Sequence, residues 1–375
     1  MRICLAVPNT LSFPQGGHLW LFMNWALGFK ALGHDVFWLD MVDNDATVER
    51  VAPLLHTLRG RMKFVGLDSA IALCTRAGHA LPFESDLNLR PLDDALSADF
   101  LCDHRYDLPR VVVSRFARSM LIDSDPGLLH ESLKHKHYDM AEHGVYYTIG
   151  EFVKRPRDQW KFDPHGYPWE YTAPAVSLDH WPVSAAPHGA ALTTISNWFL
   201  DQWMPDGQGG WYKNDKREAF EPFLDVPRSS VAPMELMLNL GGYEPEMQRL
   251  REHGWRVSDS GAVADPCNYR QYLQTSYGEF SCAKPGYVKL DTGWMSDRTI
   301  CYLASGKPVI VQKTGESDIL PDAHGMFRFT TLDQARAAVQ IVNDDYPAQS
   351  RAARKLAEDV FDARKVLTKI LTRCL

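Results

Sequence analysis

The chain has 375 residues, of which 45% are hydrophobic and 23% charged; this is ordinary globular usage and excludes a disordered, collagen-like or coiled-coil chain. Lys and Arg number 40 against 47 Asp and Glu, a net charge of -7, so a nucleic-acid partner is not expected. At about 150 residues per domain, the length suggests two or three domains, most simply two of similar size.

Residues 3–7 are a short apolar run, as in a strand buried on both faces of a parallel sheet. A loop over 8–17 carries Pro8, Pro14 and the pair Gly16-Gly17. Leu19, Phe22, Met23, Ala26, Leu27 and Phe29 then recur at helical spacing, and Gly33 stands where a helix C-cap belongs. Residues 36–39 read as the next strand, closed by Asp40. This β-α-β order points to a doubly wound α/β domain.

Further strands are expected at 100–101, 111–113, 120–122 and 145–149. Between 155 and 190 the composition changes: Pro156, Pro164, Pro168, Pro174, Pro182 and Pro187 alternate with Trp160, Trp169 and Trp181. Proline at that density stops helices and inner strands, so the segment reads as a long interdomain connection anchored by its tryptophans.

A second α/β pattern follows. Strands are expected at 191–195 and 255–257, a helix at 246–253 and a Gly-rich mobile loop at 204–215; 234–240 is apolar, and 269–274 leads to 278–281. Residues 278–281, a helix at 297–304 ending at Gly306, and a strand at 308–312 complete it. The tail from 352 to 371 is an amphipathic helix. The expected division is a first domain over 1–170, a linker over 171–190, a second domain over 191–350 and a tail over 351–375 that crosses back to the first domain.

Cys4, Cys74, Cys102, Cys267, Cys282, Cys301 and Cys374 are odd in number and widely spaced, without a Cys-x-x-Cys pair. They read as reduced thiols of a cytoplasmic protein. The apolar run after Arg2 is too short for a signal-peptide core, and no stretch is apolar enough to span a membrane.

The most informative stretch is 278–317. Gly278-Glu279-Phe280-Ser281 and Lys284 precede Thr292-Gly293-Trp294-Met295-Ser296-Asp297-Arg298, a loop that enters a helix. Glycine lets a ligand approach the backbone, and free N–H groups with the helix dipole favour an anion such as a diphosphate. Lys284, Lys289 and Arg298 add positive charge. Ala304, Gly306, Pro308 and Val309 lead into a strand, and Glu316 follows in a polar loop at its carboxyl end, where open α/β sheets bind ligands.

This order resembles the C-terminal half of GT-B-fold nucleotide-sugar glycosyltransferases. The matching positions are Gly293, Trp294 and Ser296, then Ala304, Gly306, Pro308 and Val309, then Glu316. The resemblance implies two doubly wound, Rossmann-like domains facing a central cleft, and transfer of a sugar from a nucleoside-diphosphate sugar to an acceptor hydroxyl. The sugar nucleotide is a co-substrate; no other cofactor and no metal are expected. Donor-binding candidates are Gly16, Gly17, Glu279, Ser281, Lys284, Thr292, Gly293, Trp294, Ser296, Asp297, Arg298 and Glu316. The pattern departs from the family after the serine: Thr299 and Ile300 stand where many members carry an acidic residue for the ribose, so Asp297, Glu279 and Glu316 are the ribose candidates.

On the acceptor side, Gly16, Gly17 and His18 follow the first strand, and the resemblance places them at the cleft with His18 as a general base. Asp123 and Asp125 end another strand and are further candidates; Glu151 is a third acidic one. His130, His135, His137 and His143 read as a polar surface helix, with a metal site as the alternative, and Lys213, Lys216 and Arg217 as solvated charges, with a phosphate contact as the alternative. Competing functions are a GT-B-fold sugar-nucleotide epimerase, a non-catalytic sugar-nucleotide-binding protein, and an NAD(P)-dependent dehydrogenase suggested by Asp40 after the first β-α-β unit.

Overall fold

A computed structural model describes residues 1–135 and 138–374. Seven parallel strands form the first sheet: β1 (Arg2–Ala6), β2 (Asp35–Val42), β3 (Ile71–Thr75), β4 (Phe100–Asp103), β5 (Ser119–Asp123), β6 (Val145–Thr148) and β7 (Trp169–Tyr171). Their spatial order is β3-β2-β1-β4-β5-β6-β7. The second half contains β8 (Leu192–Asn197), β9 (Trp203–Pro205), β10 (Trp211–Lys213), β11 (Met234–Asn239), β12 (Arg256–Asp259), β13 (Gly278–Ser281), β14 (Val309–Gln312) and β15 (Met326–Phe329). Six of these make a second parallel sheet, ordered β12-β11-β8-β13-β14-β15, while β9 and β10 pair as a separate antiparallel hairpin. Both sheets reverse their winding beside their first strand, at β1/β4 and β8/β13. In open α/β sheets the ligand crevice lies there, beyond the carboxyl ends of the strands.

The helix Gly16–Ala31 joins the two halves. It is buried on nearly every side, with Trp20, Phe22, Trp25 and Phe29 all in the core. A helix apolar all round is one that packs on several elements at once. One face lies on the first sheet, and Trp20 Nε1–H donates to the Pro266 carbonyl of the second half at 2.8 Å. Asn24 Oδ1 accepts from the Ser177 amide at 3.1 Å and from Trp181 Nε1 at 3.2 Å, which fixes the connecting segment against this helix.

The C-terminal helices return to the first half. Tyr346–Leu356 packs on the second domain, a wider turn over Ala357–Phe361 follows, and Ala363–Cys374 lies against Gly16–Ala31. Gly28 makes that approach possible: a Cβ there would stand 2.6 Å from Leu367 Cδ1 and 2.7 Å from Ala363 Cβ. No described helix is long and apolar enough to cross a membrane.

Two local expectations are corrected. Residues 111–113 belong to a one-turn helix, Arg110–Val113, started by Pro109. Residues 204–215 are a hairpin rather than a mobile loop. Asp206 Oδ1 accepts from the Gln208 and Gly210 amides, both at 2.8 Å, and so orders its glycine-rich turn.

Candidate functional site

A cleft of about 500 Å³ opens between the two domains. Gly16, Gly17 and His18 line it from the first domain; Ile195, Asn197, Asn239 and Asp259 line it from the carboxyl ends of β8, β11 and β12; Ser296, Asp297 and Arg298 close it. Two helix N-termini therefore open into one space. At Gly16–Ala31 no side chain caps the free amides and no acidic residue stands in the first turn. At Asp297–Ala304, Ser296 is the N-cap and accepts from the Arg298 amide at 3.3 Å. Unpaired N–H groups and aligned dipoles at such ends attract anions.

On the first-domain side, His18 sits edge-on between Phe13 and Phe22. Its Nε2–H donates to the Pro8 carbonyl at 2.8 Å, because a carbonyl can only accept. The tautomer is thereby set, and Nδ1 is left as a lone-pair acceptor. Burial pushes the imidazole pKa below its ordinary value, with Pro8, Asp40 and Asp125 opposing. His18 is thus neutral at neutral pH, the state a general base requires.

Asp123 and Asp125 share the β5 loop but differ in surroundings. Asp123 is fully buried; it accepts from Thr148 Oγ1 at 2.8 Å, the Asp125 amide at 2.9 Å and Tyr106 OH at 3.3 Å. Burial raises its pKa to about 7. With both oxygens engaged it is a brace for the loop. Asp125 is exposed and accepts from Tyr287 OH of the second domain at 2.6 Å. Its charge also reaches His18, Lys284 and Asp297. The structure thus places His18, Lys284 and Asp297 each within electrostatic reach of Asp125.

On the second-domain side, Arg298 is committed internally. Its guanidinium meets buried Glu279 at 2.8 Å and donates to the Ile195 carbonyl at 2.8 Å and Ser281 Oγ at 2.7 Å. Glu279 Oε2 is buried without a hydrogen-bond partner. Burial lifts the Asp297 carboxyl to about 6, against the pull of Arg298. Lys284 is lowered by burial, opposed by Asp125 and Asp215, and its ammonium makes no hydrogen bond or ion pair with a described residue.

Lys216 reverses a sequence expectation. It is buried, and its ammonium donates to the Cys282 carbonyl. Burial first, then the positive charge of Arg298, lowers its pKa to about 7. Lys213 and Arg217, by contrast, are partly exposed and paired with Asp215 at 3.1 Å and Glu246 at 3.2 Å. Lys216 is thus buried within reach of the charges of Arg298, Lys284 and Glu279, with a carbonyl as its hydrogen-bond acceptor among the described residues.

Up to residue 295, the loop expected to cradle a diphosphate also packs the seam between the domains. Thr292 is buried, and Gly293 adopts φ +65° with its α-carbon against the Glu151 backbone. Trp294 stacks flat on Tyr287, centroids 4.1 Å apart, and its Nε1–H donates to the Ser124 carbonyl at 3.2 Å. These residues help seal one domain onto the other; Ser296, Asp297 and Arg298 reach the cleft, while Gly293, Trp294 and Met295 line a smaller cavity with Ser281, Ser296, Arg298 and Thr314. Glu316 lies outside it: its carboxylate is 80% exposed and pairs with Lys313 at 2.8 Å. Glu151 sits in the same seam, where Ser317 Oγ–H donates to it and Lys154 stands at 3.4 Å.

Other candidates are also resolved. Asp40 is buried, ion-paired to Arg105 at 2.8 Å and bonded by Thr10 Oγ1 and the Leu11 amide, both at 2.8 Å. It is closed to a dinucleotide ribose. His130 is buried rather than on a polar surface helix, and the side chain of His143 is enclosed, its Nε2 3.4 Å from Asp103. His135 is exposed, and His137 lies outside the described residues. No group of three or more His, Cys, Asp and Glu is gathered to hold a metal among the described residues.

No family model matches the sequence, and no curated protein matches it. Solved structures do. HepE from Anabaena in complex with UDP aligns at a TM-score of 0.58 and 12% identity, over 100% of this chain and 99% of that one. An alpha-glucosyltransferase in complex with UDP-glucose and DNA containing an abasic site aligns at 0.59 and 11%, over 100% and 99%. Sucrose-phosphate synthase from Thermosynechococcus elongatus aligns at 0.56 and 8%, over 99% and 98%. At these identities the likeness is one of fold: the chain has the GT-B-like architecture of two doubly wound domains around a cleft.

Proposed function

We propose that this protein is a nucleotide-sugar-dependent glycosyltransferase, moving a sugar from a nucleoside-diphosphate sugar to an acceptor hydroxyl. The observation that carries the reading is the interdomain cleft, into which two helix N-termini open beside a neutral His18 whose Nδ1 is left as an acceptor. The UDP and UDP-glucose held by solved structures of the same fold favour a uridine nucleotide as donor. The seven free thiols suit a reducing, cytoplasmic setting.

In this reading the donor diphosphate rests on the amides that begin Asp297–Ala304. His18 Nδ1 takes the proton of the acceptor hydroxyl as its oxygen bonds to the anomeric carbon. The bond from that carbon to the diphosphate breaks, and the electron pair leaves with the diphosphate. Lys284 and Lys216 neutralise the departing charge in a site of low dielectric. The sugar nucleotide is itself the second substrate, so no resident cofactor takes part.

Two measurements test the proposal together. Millimolar UDP should raise the melting temperature, since a ligand bound only by the native state stabilises it. His18→Ala should keep that shift while kcat falls by roughly 100-fold or more, the scale of a lost general base. No shift with UDP, GDP, TDP or ADP overturns the assignment, and a shift with undiminished kcat in His18→Ala removes His18 from the mechanism.

A further inference from the structure

The hairpin β9–β10 presents two faces of opposite character. In its register Trp211 pairs with Pro205, Tyr212 with Met204 and Lys213 with Trp203. Met204 and Tyr212 point inward, packing with Leu128, Ala283 and Tyr287. Trp203 and Trp211 stand as diagonal neighbours on the other face, 54% and 60% exposed. Two large aromatic side chains left in water on one ordered face call for an occupant. Trp203 is also oriented, because its Nε1–H donates to Asp201 at 3.1 Å.

A groove of about 380 Å³ runs beside this face, walled by the helix Leu128–Lys134 of the first domain. Its lining is aromatic and hydroxyl-seeking at once: Trp203 and Trp211 stand opposite Glu131, Ser132, Asp201 and Gln202. Glu131 Oε2 is buried there, 3.7 Å from Lys134 Nζ and 4.0 Å from His135 Nε2. Aromatic planes beside carboxylate, hydroxyl and amide side chains match a sugar ring, which shows C–H faces to an aromatic and hydroxyls to an acceptor. The wall of the groove is continuous in sequence with the β5 loop. Leu128, in its wall, follows Asp125 by three residues and packs with Tyr287, which binds Asp125.

We propose that Trp203, Trp211 and Glu131 form a subsite for sugar rings of an oligosaccharide acceptor, distal to the ring that receives the new sugar. The inference rests on the glycosyl-transfer reading for the role of its ligand, not for the existence of the site.

The test is calorimetric titration of the full chain with maltohexaose, cellohexaose, mannohexaose and chitohexaose, repeated with Trp203→Ala, Trp211→Ala and Glu131→Gln. Both tryptophans are exposed, so these variants should melt near the wild-type temperature and keep the UDP shift. At least one hexaose should bind, and each tryptophan variant should weaken it by about fivefold or more. Binding by none of the four, or equal binding by wild type and both tryptophan variants, overturns the subsite. Tryptophan-dependent hexaose binding without any nucleotide shift would uphold the subsite and retire the donor reading.

Discussion

Tyr287 of the second domain donates its hydroxyl to Asp125 of the first at 2.6 Å while its ring lies flat on Trp294. Trp294 in turn donates to the Ser124 carbonyl. Two stacked aromatics thus grip consecutive residues of the β5 loop, and one of those residues, Asp125, carries an exposed carboxylate. Tyr287→Phe keeps the stack and removes one hydrogen bond to a charged acceptor. Because Asp125 is exposed, the cost should fall near the lower end of such bonds, about 1–2 kcal/mol. Urea unfolding of both proteins measures it, and an unchanged midpoint would show that the domains are held by the stack alone.

Lys216 makes a sharper demand on pH. Its folded pKa is lowered to about 7 from an ordinary 10.5. Below about pH 7 the folded protein carries the buried charge and bears its full cost. Between there and pH 10.5 the unfolded chain holds a proton that the folded one lacks, so the cost shrinks as pH rises. A bound diphosphate should restore the ammonium. UDP binding at pH 8 should therefore take up protons, seen as a binding enthalpy that varies with the ionisation enthalpy of the buffer. Lys216→Met should abolish the uptake and weaken UDP by about tenfold or more. Buffer-independent enthalpy in the wild type would mean that Lys216 does not meet the nucleotide.

The elements that the sequence made legible are those whose pattern is local. The run 3–7, the helical spacing from Leu19 to Phe29 and the helix entered at Ser296 each announce themselves within a dozen residues. β15 did not, because Arg328 interrupts its apolar residues; the guanidinium is led away to Asp322, the Gly315 carbonyl and the Leu320 carbonyl. Long-range partners were equally invisible. Lys216 is buried by a carbonyl 66 positions away. Gly16 and Gly17 read as room for a phosphate, yet they also make room for Tyr269, whose Cβ would stand 2.7 Å from a Cβ at position 16. The glycine pair lets the helix start lie flush on the second domain, and this closeness brings His18 to the cleft.

Arg298 shows how a residue can belong to a site without binding its ligand. It lines the cleft, but Glu279, Ser281 and the Ile195 carbonyl already claim its guanidinium. Glu279 is completely buried, so removing the arginine leaves an uncompensated internal charge. Arg298→Met should accordingly destabilise the fold by about 3–5 kcal/mol. The double variant Arg298→Met with Glu279→Gln should recover most of that loss, because the orphaned charge is then gone as well. Guanidinium-chloride unfolding of the single and double variants separates the two roles. A single variant as stable as the wild type, but blind to UDP, would instead make Arg298 a direct partner of the diphosphate and the Glu279 contact incidental.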